Sequence, residues 1–265
     1  MKPSLVIGLI LTGFWVVVAL AAPLISRDPT VQDLDHRLEA PSAAYVLGTD
    51  GLGRDLWSRV AWGSRASLLT AVSVVLLTLP IGLAIGVTAG LAGGWVENSL
   101  MRFTDATLAL PKLVLALAFV ATMGPGLVNG ILALSITGWP TYARQARVEA
   151  ALLRHKDHLA ASRMAGVGWP RLFLFHVLPL CLPSAIVRAA LDMAAMIIVA
   201  AGLGFLGLGI QPPTPEWGSL VSDGSKVVYD QWGVATFPGL AILTASLGFN
   251  FLGDGLRERL GADRG

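Results

Sequence analysis

Ser67 to Gly94 reads SLLTAVSVVLLTLPIGLAIGVTAGLAGG, and this stretch decides the fold. No Asp, Glu, Lys or Arg stands between Arg65 and Glu97, so the run exceeds the roughly 20 apolar residues that carry a helix across a bilayer. In hydrocarbon each backbone N–H and C=O must be paired within the chain, and a helix does this by itself. The chain therefore works in lipid, which its 54% hydrophobic and 14% charged residues also require, since soluble domains carry about a quarter charged residues.

Four further stretches of the same kind flank this one. Lys2 to Arg27 is rich in Leu, Val and Ile, longer than a signal-peptide core and basic at its start only in Lys2, which predicts a retained first helix. Leu113 to Ala143 is too long for one helix and is cut by Gly124-Pro125-Gly126, so it is expected to form two helices and a tight turn. The stretch after Arg171 carries only Arg188 and Asp192 before Gly209, and Val234 to Gly253 is the last. The expectation is an all-α integral membrane protein with six transmembrane helices. Twelve Lys and Arg would lie on the side of the N-terminus, Arg102, Lys112, Arg144 and Arg147 among them, against six on the other side, and this places both termini in the cytosol.

Two polar segments are too long to be turns. The outer one, Ser26 to Ser64, lacks periodicity and is expected to be an irregular cap; the inner one runs from about Tyr142 to Pro179. Within the inner segment Arg144, Arg147, Glu149, Arg154 and Lys156 are spaced as a helix leaving the membrane. Ala160-Ala161-Ser162-Arg163-Met164-Ala165-Gly166 then offers helix formers followed by a glycine suited to the left-handed position that ends a helix. Gly168-Trp169-Pro170-Arg171 restarts a short helix toward Pro179, because proline is favoured in a first turn. The result is a cytosolic knuckle with an apolar surface, suited either to lipid headgroups or to a cytosolic partner.

Several functions find no support. Cys181 is alone, which rules out an intrachain disulfide, and no basic cluster with interleaved aromatics points to nucleic acid. There is no Gly-x-x-x-x-Gly-Lys-Ser/Thr phosphate loop, so any ATPase must be another polypeptide. Gly51-x-Gly53 follows no strand, and His155 and His158, with His176 nearby, are more simply solvated than metal-bound. Arg188 and Asp192, four residues apart within a span, form either a pathway element or a structural ion pair. The glycines at 82, 86 and 90, and those at 202, 204, 207 and 209, let helices pack closely. A secondary transporter or channel would need more intramembrane acids, a filter or inverted repeats, and a membrane enzyme a clustered nucleophile and base.

Leu47-Gly48-Thr49-Asp50-Gly51-Leu52-Gly53-Arg54-Asp55, Phe205 through Gly218 with Gln211-Pro212-Pro213-Thr214-Pro215-Glu216-Trp217, Phe237-Pro238-Gly239 and Gly253-Asp254-Gly255-Leu256-Arg257 together resemble the permease subunits of peptide and nickel ABC importers. The knuckle is similar to that family's coupling loop, with Gly166 and His176-Val177-Leu178-Pro179 setting the register. That register puts Ala160, Ala161 and Ser162 on the family's Glu-Ala-Ala positions, so the glutamate is missing, whereas Glu149-Ala150-Ala151 lies before the turn. The resemblance implies a type I importer transmembrane domain over 66–254, a coupling loop at about 149–179, a first helix and outer segment over 1–65 and a cytosolic tail over 255–265. Ala160, Ala161, Ser162, Arg163, Met164 and Gly166 would meet the ATPase. It further implies a second homologous permease, one or two ATPase subunits binding ATP and Mg, an extracellular or periplasmic binding protein, a place in the bacterial inner membrane, no cofactor in this chain, and peptides, nickel or a metal chelate as cargo.

Overall fold

The structure, a computed structural model, describes residues 3–262, and among these the regular elements are all helical. In chain order they are α1 (Pro3–Ile25), a short 3-10 turn (Leu34–His36), α2 (Leu56–Ala92), α3 (Gly94–Leu108), α4 (Lys112–Met123), α5 (Leu127–Leu153), α6 (Asp157–Met164), α7 (Trp169–Arg171), a π-helical turn (Leu172–Val177), α8 (Leu178–Phe205), α9 (Trp217–Ser225) and α10 (Gly233–Ala262).

Four helical runs are long and apolar enough to cross a membrane: Pro3–Ile25, Leu56–Ala92, Trp169–Phe205 and Gly233–Leu260. A fifth is the pair α3 and α4, bent by 84° at their junction, if the two count as one broken span. The expected six is reached only with α5, whose 27 residues suffice in length but which carries Thr137, Thr141, Arg144, Arg147 and Glu149. Its charged side chains find partners in the protein: Arg144 with Asp105, Arg147 with Glu97 and Glu149 with Ser184.

The stretch from Leu113 to Ala143 does split at Gly124 and Gly126, both with positive φ. Its first part, however, is a helix of 12 residues, about 18 Å long and too short to cross alone. Lys112, expected in a cytosolic loop, instead opens α4 within the bundle, where it feels the charges of Asp192 and Arg188.

The most extensive packing joins α2 to α5. A Cβ at Gly82 would fall 2.4 Å from the Tyr142 Cβ, at Gly86 2.3 Å from the Ala143 carbonyl oxygen, and at Gly90 2.6 Å from that of Arg147. Three successive turns of α2 thus lie against the α5 backbone, which only glycine permits. α1 packs along α10 in the same manner, with Gly8 against Leu252 and Gly255 against Leu5, and the Trp15 indole N–H donates to the Thr244 hydroxyl at 2.9 Å.

The outer segment is irregular but tightly held. The Asp50 carboxylate accepts the backbone N–H groups of Leu52 and Arg54 at 2.8 and 3.0 Å, the Arg54 Nε–H at 2.7 Å, and a short bond from the Arg59 guanidinium. Gly53 has φ +72, and a Cβ there would strike the Asp33 carbonyl. Asp55 caps α2 by accepting the Ser58 N–H at 2.9 Å.

Candidate functional site

The inner segment projects less than its sequence suggests. α5 is unbroken to Leu153, and its last turns are tied to α3 by the ion pairs Arg144–Asp105 (2.6 Å) and Arg147–Glu97. On the other side α7 does not end at Pro179 but runs through the π-helical turn into α8, with Pro179 in the first turn where its missing N–H is harmless. What stands clear of the bundle is α6 and its two connecting turns.

α6 ends in a Schellman arrangement: the Gly166 N–H bonds to the Arg163 carbonyl at 3.0 Å and the Val167 N–H to that of Ser162 at 3.1 Å, with Gly166 at φ +79. The helix is anchored by Leu159, which is fully buried in a cluster with Leu83, Val87, Ala146, Ala150, Leu172 and Val177 from α2, α5 and the start of the α8 run. The residues expected to meet an ATPase lie on the opposite surface. Ala160, Ala161, Arg163, Met164 and Gly166 are exposed, Met164 at 90%, whereas Ser162 is half-buried and its hydroxyl donates to the His158 carbonyl at 2.8 Å. Trp169, Leu174 and Phe175 extend the apolar surface beside them.

Glu149 points elsewhere. Its carboxylate accepts the Ser184 hydroxyl at 2.6 Å and the Gln145 amide at 3.2 Å, which clamps α5 to α8. His155 and His158 are exposed and His176 lies in the π-helical turn; among the described residues no three His, Cys, Asp or Glu come together as a metal site.

Deeper in the bundle the Arg188 Nε–H donates to Asp192 Oδ1 at 3.1 Å, with Asp192 only 6% exposed at its side chain and Arg188 39%. The Asp192 Oδ2 and the Tyr142 hydroxyl are buried without hydrogen bonds of normal geometry, though the two groups face each other. Arg188 and Asp192 were legible as a pair; Tyr142 and Lys112, which join them from α5 and α4, were not, because nothing in sequence spacing links them.

At the opposite end, Glu216 caps α9. Its two oxygens accept the Gly218 N–H at 2.9 Å and the Ser219 N–H at 3.1 Å, and the buried Trp217 beside it donates its indole N–H to the Val60 carbonyl at 3.0 Å. Burial pushes the Glu216 carboxyl up to about 7, against the lowering effect of the two N–H groups. The resemblance flagged this residue as part of a signature but assigned it no role.

Long apolar helices packed into a bundle, with an anchored knuckle at one end, make this a multi-pass membrane protein. The comparisons agree. The family model for the binding-protein-dependent transport system inner membrane component matches residues 82–263. The chain is 43% identical over 260 residues to the di/tripeptide transport system permease protein DppC of Pseudomonas aeruginosa, covering 96% of this chain and 86% of that one. It is 44% identical over 237 residues to the probable D,D-dipeptide transport system permease protein DdpC of Escherichia coli, covering 89% and 80%. The nickel transport system permease protein NikC of Escherichia coli is 38% identical over 258 residues, covering 97% and 93%. A chain of the inward-facing MetNI methionine ABC transporter has the same fold, with TM-score 0.63 and 17% identity over 76% of this chain and 96% of that one. The chain belongs to the family of binding-protein-dependent transport system inner membrane components. It is a multi-pass permease of an ABC importer with the type I fold.

Proposed function

We propose that this chain forms half of the translocation path of a di- or oligopeptide importer and receives the ATPase stroke through α6. Its partners on this reading are a second permease, one or two ATPase subunits that bind ATP and Mg, and a binding protein on the outer side; both termini face the cytosol. Two peptide relatives above 40% identity support the cargo, and the nickel relative carries the alternative, a nickel or metal-chelate importer.

The observation that carries the coupling role is the contrast across α6. One side chain, Leu159, is sunk into a cluster drawn from three helices, while the opposite surface is exposed and mixed, with Ala160, Ala161 and Met164 beside Arg163. A push on that surface reaches α2, α5 and α8 together, so the helices move as a body. This chain supplies no phosphate loop, and ATP hydrolysis belongs to its partners.

Gly166→Val tests this reading in the complete importer. A β-branched residue at φ +79 is strained by about 1 kcal/mol or more, and nothing lies within 4 Å to clash. The variant should therefore insert and fold, yet lose uptake of radiolabelled dipeptide and bind ATPase subunits less tightly. Cysteines placed at Ala161 and Arg163 should crosslink to an ATPase subunit. Normal transport by Gly166→Val, or no crosslink from either position, would make the knuckle a membrane-surface helix, and uptake of nickel but not dipeptide would select the alternative cargo.

A further inference from the structure

Two cavities open on the face formed by α5 and α8, one of about 310 Å³ and one of about 580 Å³, and both are lined by Gln145 and Arg188. Arg188 stands between them, about halfway along the run from Trp169 to Phe205. Its bond to Asp192 uses Nε alone. A guanidinium carries five N–H donors, and an arginine held for structure alone commonly turns its fork onto the carboxylate in two parallel bonds. Here the fork is turned away: its terminal nitrogens make no hydrogen bond among the described residues, and the side chain is 39% exposed.

The smaller cavity favours an anion. Its charged lining is Arg188 and Arg257 with no carboxylate, whereas the larger one carries Glu149 on its wall and an Arg144 already paired with Asp105. Asp192 is buried and engaged at Nε, and the more exposed Arg188 side chain keeps its terminal nitrogens for another partner.

We propose that Arg188 is the carboxylate-contacting residue of the passage, positioned by Asp192, and that it takes the C-terminal carboxylate of a peptide moving along the α5–α8 face. This rests on the peptide reading of the cargo. Gln145, on the wall of both cavities, adds a neutral amide beside it.

The test uses the complete importer with its binding protein in proteoliposomes, and compares a dipeptide with its C-terminal amide. Arg188→Gln should lower dipeptide uptake about tenfold more than uptake of the amide, the scale of one charge-assisted pair; Arg188→Lys should retain most dipeptide uptake. The binding protein is unchanged in each case, so its own preference cancels in the ratio of variant to wild type. A second arm treats Arg188→Cys with thiol reagents of opposite charge: an aminoethyl adduct should restore dipeptide uptake and a sulfonatoethyl adduct should not. Native Cys181 is buried. Equal loss of both cargoes, or restoration indifferent to the sign of the adduct, would make Arg188 a structural partner of Asp192 and overturn the assignment. If the wild-type importer carries neither dipeptide nor amide, the peptide reading fails first, and this inference falls with it.

Discussion

Glu216 is a carboxylate set between two spans, enclosed by protein and pressed so close to α8 that a Cβ on Gly204 would overlap its oxygen. Its ordinary value near 4.5 is raised to about 7 because burial disfavours the charged form more than the capping N–H groups favour it. A carboxyl raised on folding holds its proton more tightly in the folded state. Its contribution to stability is thus fully present below about 4.5 and is lost as pH rises through 7. The melting temperature of the purified wild type should fall relative to Glu216→Gln between pH 5 and pH 8; a difference flat with pH would mean that the carboxyl is not enclosed in solution. The same scale shows what sequence spacing can reveal. Arg188 and Asp192 announce each other four residues apart on one helix, whereas Asp50 and Arg59 meet only because the loop after Asp50 turns back on α2.

Among the elements, α2 and α5 illustrate how a membrane bundle holds together without a hydrophobic driving force between helices. Their contact relies on close backbone approach, with Gly82, Gly86 and Gly90 facing Tyr142, Ala143, Ala146 and Ala150. A side chain at Gly86 would meet a backbone carbonyl at 2.3 Å, which cannot swing aside. Gly86→Leu should therefore destabilise by about 1–3 kcal/mol or more and lower the melting temperature in detergent. Gly13→Leu, on α1 where nothing lies within 4 Å, should leave it unchanged. Equal behaviour of the two variants would refute the packing. The glycines were readable as packing residues, but not which helix they face. The 84° bend between α3 and α4 was not readable, since α3 carries Glu97, Arg102 and Asp105 and has no apolar run of its own to mark it.

For the molecule as a whole, the orientation proposed from the distribution of Lys and Arg puts α6 on the cytosolic side and the loop before α9 on the outer side. A membrane-impermeant thiol reagent should label Thr214→Cys in intact cells and Ala161→Cys only in opened ones; the reverse pattern would invert the topology. The sequence by itself determined that the chain lives in lipid, where its long helices run, and that a helix stops at Gly166. Each of these depends on neighbours along the chain: apolar length against bilayer thickness, and a glycine free to adopt positive φ. Only the tertiary structure decided that α4 is short and bent away from α3, that Lys112 and Tyr142 lie near Arg188 and Asp192, that Glu149 clamps α8, and that Leu159 ties α6 to three helices. In each of those cases the partner lies on another helix, and hydrocarbon, which is as apolar as the side chains facing it, leaves no trace in composition of which helix it is.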